Sequence, residues 1–157
     1  MAQKIRIGDI IEIPTKKGLV YAQYTHEHSE PPHYGSLIRI CSGFYNERPK
    51  DFSIIAKSDT LFHIFVPLQA SVNANLVEIV SNETIPTKAK KIPVFRGGLI
   101  EPKINKVLTW WFWDGKKEWK VGEITKEQRK IPILSIVTVP CLVEKIESGW
   151  TPETDPF

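Results

Sequence analysis

The run Thr25-His26-Glu27-His28-Ser29-Glu30-Pro31-Pro32-His33 gathers three imidazoles and two carboxylates, the donor types from which a tetrahedral zinc shell is built. Zinc ligation from a helix needs a fixed spacing such as His-Glu-x-x-His, which this run lacks. Its Pro-Pro pair and polar neighbours describe an exposed loop, so no metal site is expected there. Cys41 and Cys141 stand far apart, each among apolar residues and outside any Cys-x-x-Cys spacing, which predicts buried free thiols. Cys141 follows Pro140 at the start of a predicted helix, where backbone amides favour a thiolate, but no histidine lies near it in sequence to act as its base. His63, set among Leu61, Phe62, Ile64, Phe65 and Val66, fits a hydrogen-bonded strand histidine. Glu12, Glu78 and Glu123 lie in or beside predicted strands, and spacing pairs none of them for acid–base work. With no Gly-x-Ser-x-Gly elbow, P-loop or Gly-x-Gly-x-x-Gly, the residues predict neither a catalytic site nor a cofactor.

The strongest local signal is aromatic. Four of the five tryptophans lie in Val107-Leu-Thr-Trp-Trp-Phe-Trp-Asp-Gly-Lys-Lys-Glu-Trp-Lys-Val121, which reads as two strands joined by an Asp114-Gly115 turn of type I′. Alternation sends Leu108, Trp110 and Phe112 to one face and Val107, Thr109, Trp111 and Trp113 to the other, so both faces are aromatic. Such a ribbon is covered on both sides or leaves one face for a partner. Trp113 and Trp119 are expected to lie close together across the hairpin, as a structural ladder or as part of a binding surface. The lysines around them would also suit stacked single-stranded bases and phosphates.

The elements that must position these residues are mostly strands. Ile10 to Ile13, stopped by Pro14, and Leu19 to Tyr24 form a first hairpin, and Gly35 to Cys41 adds a third strand after a polar loop from Thr25 to Tyr34. Phe52 to Ile55, Leu61 to Val66 and Leu76 to Val80 read as further short strands. Residues 84–106 hold three prolines, two adjacent glycines and six Lys or Arg, which marks a long connection with one strand at Ile92 to Phe95. Thr125-Lys-Glu-Gln128 is a capping box for a helix that Pro132 cuts short. Pro140, the apolar stripe of Leu142, Val143 and Ile146, and Gly149 predict a closing helix, with an extended tail over 151–157 pinned by Trp150. The fold class is therefore mainly β, a β-rich α+β chain forming one domain over residues 1–157: a twisted antiparallel sheet or partly open barrel with one or two short helices.

Composition bounds the function. At 157 residues, 41% hydrophobic and 25% charged, the chain is globular and large enough for its own core. A net charge of +3 is too small to indicate nucleic-acid binding by itself. The start Met-Ala-Gln-Lys-Ile-Arg-Ile-Gly-Asp-Ile has no signal-peptide core, and no apolar run approaches a membrane span, so a cytoplasmic protein is expected.

The order Lys4-Ile-Arg-Ile-Gly-Asp-Ile10, Tyr21-Ala-Gln23, Tyr34-Gly-Ser-Leu-Ile38 and Ile92-Pro-Val-Phe-Arg96 resembles the immunity protein 26 family. The likeness extends over most of the chain, through Trp111-Phe-Trp-Asp-Gly115 and the segment from Leu142 to Trp150 with Pro152. It implies a cytoplasmic, mainly β antidote of a bacterial polymorphic toxin system, a non-enzyme whose partner is a cognate protein toxin. Interface hot spots favour Trp, Tyr and Arg, so Tyr34, Arg96, Trp111, Trp113 and Trp119 are the expected partner-binding residues. The opening Ile7-Gly-Asp-Ile-Ile-Glu-Ile13 is also similar to small barrel toxins that cleave messenger RNA. Those carry an Arg-Pro pair after the first hairpin, where this chain has Pro31-Pro32-His33, its own Arg48-Pro49 coming later. A nucleic-acid-binding β module is the other alternative.

Overall fold

The computed structural model describes residues 3–157. Strands β1 (Asp9–Thr15), β2 (Gly18–His28), β3 (Gly35–Cys41), β4 (Thr60–Val66) and β5 (Glu78–Asn82) form an antiparallel sheet in the order β4-β3-β2-β1-β5. The Gly-Asp entry to β1 is a real turn. Gly8 has φ +96°, and a Cβ there would sit 2.9 Å from the Glu83 carbonyl oxygen, so only glycine fits without displacing β5. Asp9, fully buried, accepts from the Arg6 amide and the Asn82 side chain, tying the turn to the edge strand. Strand β1 runs through Pro14, contrary to the expected stop: Pro14 lies opposite Leu19, beyond the end of the β5 pairing at Glu12, so its missing N–H interrupts no ladder.

Both faces of this sheet are covered. On one, Ile11, Ile13, Val20, Ala22, Ile38, Ile40, Phe62 and Ile64 pack with α2 (Leu68–Asn73) and α3 (Val139–Glu147). Helix α3 begins as its sequence predicts, with Thr138 accepting from the Cys141 amide, Pro140 in the first turn and Gly149 in the left-handed region beyond its end. Trp150 then packs edge-on against Phe62 at 5.1 Å and donates to Asp155 at 3.1 Å, pinning the tail. The other face is shared: Ile10, Tyr21 and Cys41 meet α1 (Ser53–Lys57) at one end, and Leu37 and Phe65 meet a second sheet at the other.

That second sheet has the order β10-β9-β6, from β6 (Phe95–Gly97), β9 (Trp110–Trp113) and β10 (Glu118–Gly122), with the hairpin β7 (Ile100–Glu101) and β8 (Lys106–Val107) beside it. Residues 132–137 stitch the two sheets together. Arg96 donates its amide to Pro132 and accepts from Leu134, both at 2.8 Å, and Val137 donates to Phe65 at 3.0 Å. One extended segment thus runs beside β6 and then beside β4 through short parallel bridges. Strand at 36% outweighs helix at 19% and no sheet closes, so the fold is mainly β with open antiparallel sheets. No described helix is long and apolar enough to cross a membrane.

Three predicted strands are corrected, the one expected at Ile92 to Phe95 beginning only at Phe95, as β6. Phe52 to Ile55 enters α1, because Asp51 accepts from the Ser53 amide and hydroxyl at its start and Ile55 is buried while Ile54 is exposed. Leu76 lies before the start of β5, in the turn that follows the unforeseen helix α2. The Thr125–Gln128 capping box forms reciprocally, at 2.9 and 3.1 Å, but caps only a 3-10 turn at Gln128–Lys130.

Candidate functional site

Of the five expected partner-binding residues, two are interior. Trp113 is 8% exposed and fills the joint between the sheets, edge-on to His28 at 4.9 Å and against Tyr34 at 5.1 Å and Phe95 at 5.7 Å. Arg96 is fully buried: its guanidinium donates to the carbonyls of Ile131, Arg129 and Pro152 and lies 4.4 Å from the Trp110 ring centroid. Burial, then the charge of Arg129, pulls its pKa down to about 10, which leaves it charged at neutral pH. Both residues are therefore corrected from surface contacts to framework. The reason is register, since Phe95 opposes Trp113 and Arg96 opposes Phe112, which places one on each covered face of β6 and β9.

Tyr34 is half-buried at the rim of this joint, 5.4 Å from Phe65, and burial followed by the charge of Glu118 raises its phenol pKa. Trp111 and Trp119 are exposed, on opposite faces of the sheet: Trp111 opposes Lys120, and Trp119 opposes Phe112 and packs edge-on to it at 6.1 Å. The expected Trp113–Trp119 pair does not form, because Glu118 stands opposite Trp113. The connection spans four residues instead of a two-residue type I′ turn. Asp114 donates its amide to the Lys117 carbonyl, its carboxylate accepts from the amides of Lys116 and Lys117, and Gly115 alone among the four takes positive φ.

Around Trp111 the structure assembles a surface from the expected hairpin and from Gly98, Leu99 and Ile100 of the expected connection. Gly98, Leu99, Ile100, Leu108 and Thr109 line a shallow cleft with Trp111, in which Leu99 is 90%, Leu108 57% and Trp111 40% exposed. Leu108 shares this side because β9 starts only at Trp110, which breaks the alternation assumed from Val107 onward. Gly98 makes the hairpin possible: a Cβ there would fall 2.5 Å from the Val107 side chain and 2.7 Å from the Thr109 carbonyl. Ile100 and, at the hairpin tip, Ile104 extend the exposed apolar surface. The legible signal was the Gly97-Gly98-Leu99-Ile100 run, in which two glycines precede two large apolar residues.

Several of the groups that could do chemistry are tied into the framework, but the Nε2 atoms of His28 and His63 are buried without a hydrogen-bond partner among the described residues, which corrects the expectation of a hydrogen-bonded His63. His26 and His28 lie in β2, His26 bonding to Thr25 and the Lys90 carbonyl, and no group of three or more ligating side chains exists among the described residues. Glu12 and Glu78 do face each other across β1 and β5, but Arg48 holds both, at 2.8 and 3.0 Å to Glu12 and 2.8 Å to Glu78. The Arg48 hydrogen bond lowers the Glu12 pKa against the opposing effect of burial, which fixes the carboxylate as an ion-pair member. Of the two thiols, Cys41 is buried as expected and its pKa is raised by burial, whereas Cys141 is exposed, correcting the expectation of burial.

Compared with known proteins, the chain matches no family model, no curated protein and no solved structure.

Proposed function

We propose that the chain is a non-catalytic immunity protein that works in the cytoplasm and neutralises a cognate bacterial toxin by docking it on the Trp111 face of the second sheet. The supporting observation is the exposed apolar surface of Leu99, Ile100, Leu108 and Trp111 around a shallow cleft that Thr109 and Glu101 also line. Contiguous exposed apolar surface marks interaction sites, and the family resemblance supplies the class of partner. Neutralisation by occlusion needs no turnover, only a complementary interface of roughly 1,600 Å² in total. Trp111 is the central anchor, with Tyr34 and Trp119 outside the cleft. The test is a pull-down from secreted fractions of competing bacteria, using the full chain and its Trp111→Ala and Leu99→Glu variants, followed by co-expression with each captured polypeptide. A stoichiometric toxin whose lethality the chain relieves, and whose binding Trp111→Ala weakens by at least about 2 kcal/mol, is the expected result. A relieved toxin held equally well by both variants would refute the assignment of this face.

A further inference from the structure

Charge is divided unevenly along the chain. Residues 88–130, which carry the second sheet and the β7–β8 hairpin, hold twelve Lys and Arg against five Asp and Glu, a net of +7; the rest of the chain carries −4, the total being +3. Arg96 is buried, so +6 of that excess lies outside the core. Little of it is neutralised locally. Lys130 pairs with Glu127 and Lys88 reaches Asp59, whereas Lys103, Lys106, Lys116, Lys117 and Lys120 have no carboxylate within 4.0 Å among the described residues. Several of these border the apolar surface: Lys120 is the cross-strand neighbour of Trp111, Lys106 opens β8, and Lys103 precedes Ile104 at the hairpin tip.

We infer that the occupant of the Trp111 face is an acidic protein surface with apolar residues at its centre, an inference that rests on the docking role proposed above. Glu101 lines the cleft as well, so the rim is mixed but net positive, and an apolar core within a net positive rim favours a partner of the opposite charge, because like charges repel during approach and opposite ones steer it. A toxin bound this way is engaged away from any phosphate-binding cleft, since such a cleft is itself basic. Nucleic acid fits the same surface less well. The exposed side chains at its centre are mostly aliphatic, and Trp111 and Trp119 lie on opposite faces and cannot stack successive bases.

A phage-displayed library of random peptides, selected on the full chain, tests this without knowledge of the toxin. A Lys103→Glu, Lys106→Glu, Lys120→Glu triple variant with an unchanged melting midpoint serves as the comparison, and an oligothymidylate as the second probe. The expected result is peptides rich in Asp and Glu with Leu, Phe or Trp between them, bound about tenfold more weakly by the triple variant and weakened by added salt. Neutral or basic peptides, acidic peptides indifferent to the triple variant, failure to select any peptide, or tighter binding of the oligothymidylate would each overturn the inference. A neutral toxin captured through Trp111 would overturn this inference alone and leave the proposed function in place.

Discussion

Replacing Trp113 by alanine should cost stability, and replacing Trp111 should cost binding, although the two residues lie two positions apart on one face of β9. The indole of Trp113 is 8% exposed and is enclosed by His28, Tyr34, Phe65 and Phe95, so almost its whole surface leaves water on folding. Roughly 200 Å² of aromatic surface at about 25 cal/mol per Å² is about 5 kcal/mol, and truncations of this kind measure about 3 to 5 kcal/mol. In a chain of this length each kcal/mol moves the melting midpoint by about 2–4 °C, so Trp113→Ala should melt roughly 10 °C below the parent. Trp111 is 40% exposed and borders an open cleft, so Trp111→Ala should lose under about 1.5 kcal/mol. Thermal melts followed by far-ultraviolet circular dichroism separate the two, and hydrogen exchange in β9 should rise for the first variant only. A Trp113→Ala midpoint within about 2 °C of the parent, or a larger loss for Trp111→Ala, would refute the assignment of Trp113 to the joint.

Acid should weaken the fold through His63. Burial first, then the positive charges of His26 and Arg39, pushes its pKa down to about 4 from 6.5, so the unfolded chain takes up a proton below pH 6.5 that the folded chain refuses. Its contribution is complete above pH 6.5 and is lost as pH falls towards 4, about 3 kcal/mol in all, so melts of the parent and His63→Gln at pH 7.5 and 4.5 should show a smaller acid-induced drop in the variant. Arg96→Met should cost about 3 to 5 kcal/mol by leaving the carbonyls of Ile131, Arg129 and Pro152 without their donor, and limited proteolysis should then cleave near the C-terminus sooner; an intact tail with a parental midpoint would contradict the role given to Arg96.

Strands β1 to β4 were legible because they alternate or are apolar over most of their length and because Gly8-Asp9 and Gly18 punctuate them, whereas β5, with only Ile79 and Val80 apolar, was placed two residues early. Helix α2 was missed although Leu68 and Val72 stand at the helical i, i+4 spacing and Asn75 ends it at φ +59°; six residues are too few for a period to assert itself. In α1 the β-branched pair Ile54-Ile55 favoured a strand, and the Asp51 side chain decided for the helix. The surface around Trp111 was half legible. The tryptophans announced themselves, but which are exposed depends on β6 register and on where β9 starts, both set by contacts with residues far away in sequence.

Two buried arginines explain why a short, irregular second sheet can present a defined surface. Arg39 is fully buried without a carboxylate, donating to Gln23, Thr60 and the carbonyls of Ala56 and Ser58 at the end of α1. Arg96 does the same for Ile131, Arg129 and Pro152, so each guanidinium gathers backbone that regular ladders leave unpaired. Lysine could not replace either, because only the planar fork reaches several acceptors at once. Around Arg96 the gathered segments are residues 129–131, which lead into the 132–137 stitch, and the tail at Pro152, on the face that Arg96 shares with Phe112 and opposite Trp111. In the docking proposed above, a face braced in this way would have less motion to lose, so more of the contact energy of Leu99, Leu108 and Trp111 would survive as affinity. Under that proposal, Arg96, which would never touch the partner, helps set how tightly the exposed residues could hold it.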